Sequence, residues 1–196
     1  NDLNLYYMET GIYYRIFAKN ILDQGFKEDQ TFKIEKYFKK DQFKLNTVNK
    51  ENIYNDEVSK LASILAKKKV VRNIITNKQQ RTLEDYPSTF KFILLEGRDC
   101  GTVIAPNAHV KIFLTANINV RANRRFKQVS KKNDINYQNI LMDLVTRDKR
   151  DEGRKISPLK KAEDAILLDN THNSLEETIN IVKNIIFSKI PYLKIN

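Results

Sequence analysis

The chain has 196 residues, 41% of them hydrophobic, which suits one domain with a real core and at most a small insert. A formal net charge of +11 points to polyanionic partners such as nucleic acid, an anionic membrane or phosphorylated metabolites, but the lysines are scattered and charge alone selects none of these. No apolar run approaches the roughly 18 residues that span a bilayer, and the single Cys100 excludes an internal disulfide and fits a reducing cytoplasm.

Leu5 to Met8 reads as a short strand, followed by Glu9-Thr10-Gly11. Tyr13, Ile16, Phe17 and Ile21 recur at helical spacing and predict an amphipathic helix from Ile12 to near Gly25. Residues 24–55 are polar and aromatic, with alternation in Phe32-Lys33-Ile34 and Phe43-Lys44-Leu45, and are expected to form a small insert with weak strands. Asn55-Asp56 can cap a helix carrying Val58, Leu61, Ile64 and Leu65. A second helical pattern runs through Val71, Ile74 and Ile75. Phe92 to Leu95 is expected to be a buried strand, because its continuous apolar character suits a parallel sheet.

Val110 to Leu114 predicts another strand, and a basic helix follows from about Asn119 to Val129. Asn133-Asp134 breaks it, and Tyr137, Ile140, Leu141, Leu144 and Val145 mark the next helix. Ala165 to Asp169 is the last predicted strand. Ser174 and Glu177 have capping-box spacing and open a helix expected to bury Leu175, Ile179, Val182 and Ile186. Strands alternating with helices predict an α/β domain with a parallel sheet.

Glu96-Gly97-Arg98-Asp99-Cys100-Gly101-Thr102 follows an apolar strand and carries an Arg-Asp pair between two glycines. It delivers one cation and one anion to a sheet edge, which suits a small ligand bearing a phosphate and a hydrogen-bonding base. Cys100 reads as a small buried hydrophobe beside that pair. The segment resembles the Gly-Arg-Asp-x-Gly-Thr signature of bacterial cytidylate kinases, and further matches run from about Tyr7 to Asp169.

Glu9-Thr10-Gly11-Ile12-Tyr13-Tyr14-Arg15 resembles the family's Asp-Ser/Thr-Gly-x-x-Tyr-Arg segment. Its glycine is expected to allow a tight strand-to-helix turn, with Arg15 on the first helical turn near an anion-favouring helix N-terminus. Arg147, Asp151 and Arg154 are spaced i, i+4, i+7 and share one helix face. Two guanidiniums around a carboxylate suit phosphate and ribose together, although a solvated face of intrahelical ion pairs has the same pattern. Ser157-Pro158-Leu159 and Ala162-Glu163-Asp164-Ala165 then follow at the family's spacing.

Ser63 and Arg72 lie nine residues apart. In the family a Ser and an Arg at this spacing contact the cytosine. On one straight helix they point about 180° apart, so they converge only across a break. The family tends to have a proline in that stretch, where this chain has Lys67-Lys68-Lys69, and a plain helix-surface role for Ser63 stays open. Arg121, Arg124 and Arg125 resemble arginines that the family places in or near a mobile lid over ATP. Nucleic-acid contact competes for this helix, but Phe126 is its one aromatic residue, unlike a single-strand binder. His109 and His172 have no partner at catalytic spacing and are expected to be structural, and no metal-ligand cluster is evident.

The resemblance implies a three-layer P-loop-kinase-like α/β domain over residues 1–196, with a small nucleotide-binding insert at about 22–60 and a lid at about 124–160. It implies phosphoryl transfer from ATP with Mg2+ to CMP or dCMP by a monomeric cytoplasmic enzyme, with no nucleic-acid or membrane partner. Arg15, Arg98 and Arg147 are the implied catalytic residues, with Arg15 and Arg98 on the CMP phosphate. Thr10, Ser63, Arg72, Asp99, Asp151 and Arg154 are the implied substrate ligands, with Arg147 and Asp151 on the ribose. Arg121, Arg124 and Arg125 are implied on ATP. Another nucleoside monophosphate kinase fits the Gly-Arg-Asp segment less well.

The family's phosphate loop, Gly-x-x-x-x-Gly-Lys-Ser/Thr, precedes the Asp-Ser/Thr-Gly segment. None of the five glycines here precedes Lys-Ser or Lys-Thr, so the loop and the strand feeding it are expected upstream of Asn1. That strand normally lies between the one ending at Leu95 and the one at Val110, and its loss would leave edge groups worth about 1–3 kcal/mol each unpaired. The expectation is a fragment of a longer chain or a rearranged sheet, with poor ATP binding and no meaningful turnover if nothing precedes Asn1. A catalytically dead CMP-binding remnant shares every motif found, and a basic nucleic-acid-binding module rests on charge alone.

Overall fold

The computed structural model describes residues 4–26, 50–86, 89–129 and 136–193. The alternating segments at 32–34 and 43–45, most of the expected insert, and the Asn133-Asp134 break inside the expected lid lie outside the described residues. The chain divides into two compact units, residues 1–104 and 105–196.

In the first unit the elements are β1 (Leu5–Glu9), α1 (Thr10–Asp23), α2 (Lys50–Ile53), α3 (Asp56–Leu65), α4 (Lys69–Glu84) and β2 (Phe92–Glu96). A π-helical turn, Cys100–Ile104, closes it. β1 and β2 pair in parallel, from Leu5 opposite Phe92 to Glu9 opposite Glu96. The core is the predicted apolar face of α1, with Tyr13, Ile16, Phe17 and Ile21 buried against Met8, Ile53, Val58, Leu65, Val71 and Ile75. Burying a side chain of this size stabilises by about 1.5–3 kcal/mol.

α1 stops where the sequence places its end. Gly25 has φ of +66°, its N–H bonds the Leu22 carbonyl, and the Phe26 N–H bonds the Ile21 carbonyl, which makes a Schellman motif. The Asn55 side chain accepts from the Val58 N–H at 2.9 Å and caps α3 as expected. β2 departs from expectation. Ile93 and Leu95 pack on the core, whereas Leu94 is exposed and sits opposite the exposed Tyr7. Alternation sends these two to the other face of the pair, which no described residue of this unit fills.

The second unit contains β3 (Ile112–Thr115), α5 (Ile118–Val129), α6 (Tyr137–Glu152), β4 (Ile166–Asp169) and α7 (Leu175–Lys189). β3 and β4 pair in parallel, from Ile112 opposite Ile166 to Thr115 opposite Asp169. The α/β class with parallel strands therefore holds, and the strands pair two and two, one pair in each unit. β3 begins at Ile112, two residues later than the sequence suggests; just before it Lys111 Nζ pairs with Asp164 at 2.7 Å. α5 packs on α6, with Phe126 edge-on to Tyr137 at 6.1 Å.

Ser174 and Glu177 make the predicted capping box at α7. The apolar stripe behind it is a correction: Leu175 and Ile179 are exposed, Val182 and Ile186 are half-buried, and the buried residue is Thr178. Thr178 Oγ1 bonds the Ser174 carbonyl at 2.6 Å and the Asn170 side chain at 2.5 Å. The inward face of the first turn of α7 is thus set by the polar loop after β4 and not by its hydrophobic period.

Candidate functional site

In the first unit Thr10 follows the carboxyl end of β1, and Arg98 and Asp99 follow that of β2. Arg72 and Asp99 are both buried, and Arg72 Nη1 lies 3.1 Å from Asp99 Oδ2. Arg72 reaches that position because the helix is broken. α3 ends at Leu65 and α4 starts at Lys69, and Arg72 Nε donates to the Ala66 carbonyl at 2.8 Å. The break that the Ser63–Arg72 pair requires is therefore formed by the Lys67-Lys68-Lys69 stretch without a proline. Ser63 is half-buried on α3. The Tyr14 ring lies 5.5 Å from the Arg72 guanidinium and covers it from α1.

Asp99 is fixed through its backbone as well. Its carbonyl accepts from the Val103 N–H at 2.9 Å and the Ile104 N–H at 3.2 Å, the wide closure of the π-helical turn. Arg98, one residue earlier, is exposed.

The β1–α1 turn packs directly beneath this loop. Thr10 is buried, and its hydroxyl donates to the Glu96 carbonyl at 2.8 Å. A Cβ on Gly97 would stand 1.8 Å from Thr10 Oγ1 and 2.9 Å from Cys100 Sγ, so the close approach demands glycine there. Gly11, singled out from the sequence for this turn, meets open space and has no positive φ. Gln79 carries no signal in the sequence that ties it to this turn. It is fully buried, and its Nε2 donates to the Thr10 carbonyl at 2.9 Å, so α4 holds the turn in place.

Arg15 lies on the second turn of α1, one turn later than expected. Its Nη1 donates to Ser59 Oγ at 2.6 Å and to the Ile53 carbonyl at 3.3 Å, and its guanidinium lies 4.7 Å from the centre of the Tyr54 ring. The Tyr54 hydroxyl donates to Glu9 at 2.7 Å; burial first and that bond second push the phenol up to about 12. Tyr7 donates to Glu96, and this bond is the main reason its phenol is raised well above its ordinary value.

In the second unit Asp151 is buried at the end of α6, between two arginines. Arg147 Nε lies 3.8 Å from one of its carboxylate oxygens and Arg154 Nη2 lies 3.7 Å from the other. The predicted trio is together, but Arg154 is not on the helix. α6 ends at Glu152, and Arg154 folds back so that its Nε also donates to the Asp151 carbonyl at 3.3 Å.

Arg121 and Arg124 turn onto their own unit. Arg121 donates to the Ala116 carbonyl at 3.0 Å and to Asp148 at 2.5 Å. Arg124 Nη2 donates to the carbonyls of Asn170 at 2.8 Å and Asn173 at 3.0 Å. Arg125 is exposed, as are His109 and His172. Among the described residues no three His, Cys, Asp or Glu side chains cluster as metal ligands, and no helix is long and apolar enough to cross a membrane.

Comparison with known proteins bears on the same segments. A family model described as cytidylate kinase matches residues 1–188. A cytidylate kinase of Fusobacterium nucleatum is 40% identical over 192 residues, covering 91% of this chain and 84% of the relative. A cytidylate kinase of Thermosipho melanesiensis is 36% identical over 95% of this chain and 87% of its own length. One from Bartonella bacilliformis is 39% identical over 89% of this chain and 79% of its own length.

Proposed function

The chain belongs to the cytidylate kinase family, and from that premise we propose that it transfers the γ-phosphoryl group of ATP to CMP or dCMP. An oxygen of the CMP phosphate attacks the γ-phosphorus, the bond to the β,γ-bridging oxygen breaks, and CDP or dCDP and ADP leave. Such transfer asks the protein for positioning and charge neutralisation.

The observation that carries the substrate reading is the buried Arg72–Asp99 pair. It sets a fixed donor beside a fixed acceptor. Cytosine presents the complementary order, with an accepting ring nitrogen and carbonyl oxygen and a donating exocyclic amine. Uracil reverses two of these, so its 4-oxo group would face the Asp99 carboxylate. A buried mismatch of that kind costs about 1–3 kcal/mol.

Arg15 and Arg98 hold the CMP phosphate in this reading, with Thr10 shaping the turn beside them. Asp99 and Ser63 accept from the amine of cytosine, while Arg72 and Arg154 donate to its ring. Arg147 and Asp151 take the ribose. Arg121, Arg124 and Arg125 are assigned to ATP in this reading, with Arg124 and Arg125 inside the lid region of about 124–160; Arg125 is exposed, whereas Arg121 and Arg124 are half-buried. Mg2+ comes with ATP as part of the donor substrate. We further propose a monomeric cytoplasmic enzyme of pyrimidine nucleotide metabolism, built as one kinase domain over residues 1–196 with an insert at about 22–60.

Calorimetric titration with CMP, UMP and a short oligonucleotide, beside a coupled ATP assay, tests this. CMP-selective binding is expected, and CMP-dependent ADP release is expected where the phosphate loop placed upstream of Asn1 is present. Equal affinity for CMP and UMP would overturn the cytosine reading. Oligonucleotide binding with a steep salt slope would replace it with nucleic-acid binding. CMP binding without turnover would leave a CMP-binding protein that does not transfer phosphate.

A further inference from the structure

We propose that Tyr54 and Ser59 are positioning residues that hold the Arg15 guanidinium ready for the phosphate of the acceptor nucleotide, a reading that rests on the phosphate role of Arg15 given above. An arginine side chain on a helix samples many rotamers, and a phosphate ligand that must be ordered at binding gives up affinity. Arg15 is already ordered from three directions. The Tyr54 ring lies beneath its guanidinium at 4.7 Å, and its Nη1 reaches Ser59 Oγ at 2.6 Å and the Ile53 carbonyl at 3.3 Å.

Each of these partners is itself fixed. The Ser59 hydroxyl donates its one proton to the Asn55 carbonyl at 2.6 Å, so toward Arg15 it can only accept. Asn55 is the cap of α3, so the acceptor is locked to the start of that helix. The Tyr54 ring is set by its hydroxyl, which donates to Glu9 at 2.7 Å, and Glu9 immediately precedes the helix that carries Arg15. Tyr54 lies 45 positions from Glu9 in sequence and closes a loop of contacts from β1 through Tyr54 to Arg15. The ring uses one face and Ser59 uses one terminal nitrogen, which leaves the planar fork a second edge for bidentate phosphate binding.

The test compares CMP with cytidine, because positioning of Arg15 acts on the phosphate alone. The affinity ratio of CMP to cytidine is measured by calorimetry for the wild type, Arg15→Met, Tyr54→Leu, Tyr54→Phe and Ser59→Ala. Arg15→Met is expected to lower the ratio by at least tenfold. Tyr54→Leu and Ser59→Ala are each expected to lower it about three- to tenfold with cytidine affinity unchanged. Tyr54→Phe keeps the ring but releases it from Glu9, and a ratio between those of the wild type and Tyr54→Leu is expected. Thermal unfolding of each variant identifies any that fail to fold.

If Arg15→Met lowers the ratio and Tyr54→Leu and Ser59→Ala do not, the positioning role is overturned while the phosphate role stands. If Arg15→Met leaves the ratio unchanged, the phosphate role fails and the positioning role with it. Equal loss of CMP and cytidine affinity in Tyr54→Leu marks a merely structural residue and also overturns the proposal.

Discussion

Arg72 and Asp99 stand 27 positions apart in the chain, yet their side chains meet in the interior with 3.1 Å between Nη1 and Oδ2. Truncating one member of such a pair leaves the other charge buried and uncompensated. Arg72→Met and Asp99→Leu are each expected to cost about 3–5 kcal/mol in urea unfolding. The double variant, apolar on both sides, is expected to regain most of that stability and none of the CMP selectivity. A double variant as unstable as the worse single one would show that the pair is not a closed unit.

Gly97→Ala drives a Cβ into Thr10 Oγ1, and the obstacle is a buried residue whose hydroxyl is held on the Glu96 carbonyl and whose backbone carbonyl is held by Gln79. A loss of about 1–3 kcal/mol is expected from the overpacking. Gly11→Ala is the control, since a Cβ there meets nothing. Its stability in the same denaturant series is expected to match or exceed the wild type, because alanine favours the helix by up to about 1 kcal/mol.

Gln79→Leu preserves the bulk of a fully buried side chain and removes the donor to the Thr10 carbonyl. The unsatisfied carbonyl is expected to cost about 1–3 kcal/mol. Hydrogen exchange should show the loss concentrated at the β1–α1 turn. Uniform acceleration over the whole first unit would argue instead for a general packing defect.

Cys100 gives a pH signature. Burial pushes its thiol up to about 11 from an ordinary value near 9, and the hydrogen bond with Thr10 only partly opposes this. Its protonated form therefore favours the folded chain. That contribution is fully present below pH 9 and is lost as pH rises through 11. Iodoacetamide is expected to label native protein slowly at pH 8 and rapidly once urea is added. The structure leaves Cys100 half-buried and not fully buried as the sequence suggested, and equal rates in the two conditions would contradict even this partial shielding.

Arg124 and Arg125 are sequence neighbours with different surroundings. Arg124→Ala releases the carbonyls of Asn170 and Asn173 and is expected to cost about 1.5–3 kcal/mol in thermal or urea unfolding. Arg125→Ala is expected to change stability by less than about 0.5 kcal/mol and to raise the KM for ATP. Unchanged KM in Arg125→Ala would remove that residue from the ATP reading.

Much of this molecule was legible in the sequence because its local signals are chemical as well as periodic. The Asn55 cap, the Gly25 stop and the Ser174–Glu177 box each appear where the residue type demands them. The α1 face was readable because its apolar residues recur at helical spacing and one core receives them all. Contacts that depend on distant partners were not readable. Gln79 lies in a polar run of α4, and nothing local says that it points at Thr10. Leu175 and Ile179 fit a helical stripe, but Thr178 found the loop first. The trio of Arg147, Asp151 and Arg154 was found by counting helical turns, and it is together even though the helix ends before Arg154.

The π-helical turn after Asp99 has a thermodynamic consequence for recognition. Two N–H groups clamp the Asp99 carbonyl while Arg72 anchors its carboxylate, so backbone and side chain are both immobilised before any nucleotide arrives. The disorder surrendered at that position was given up when the polypeptide folded. Under the cytosine role proposed for Asp99, a base docking there would meet a rigid template, and its discrimination between pyrimidines is expected to persist when the rest of the binding energy is weakened.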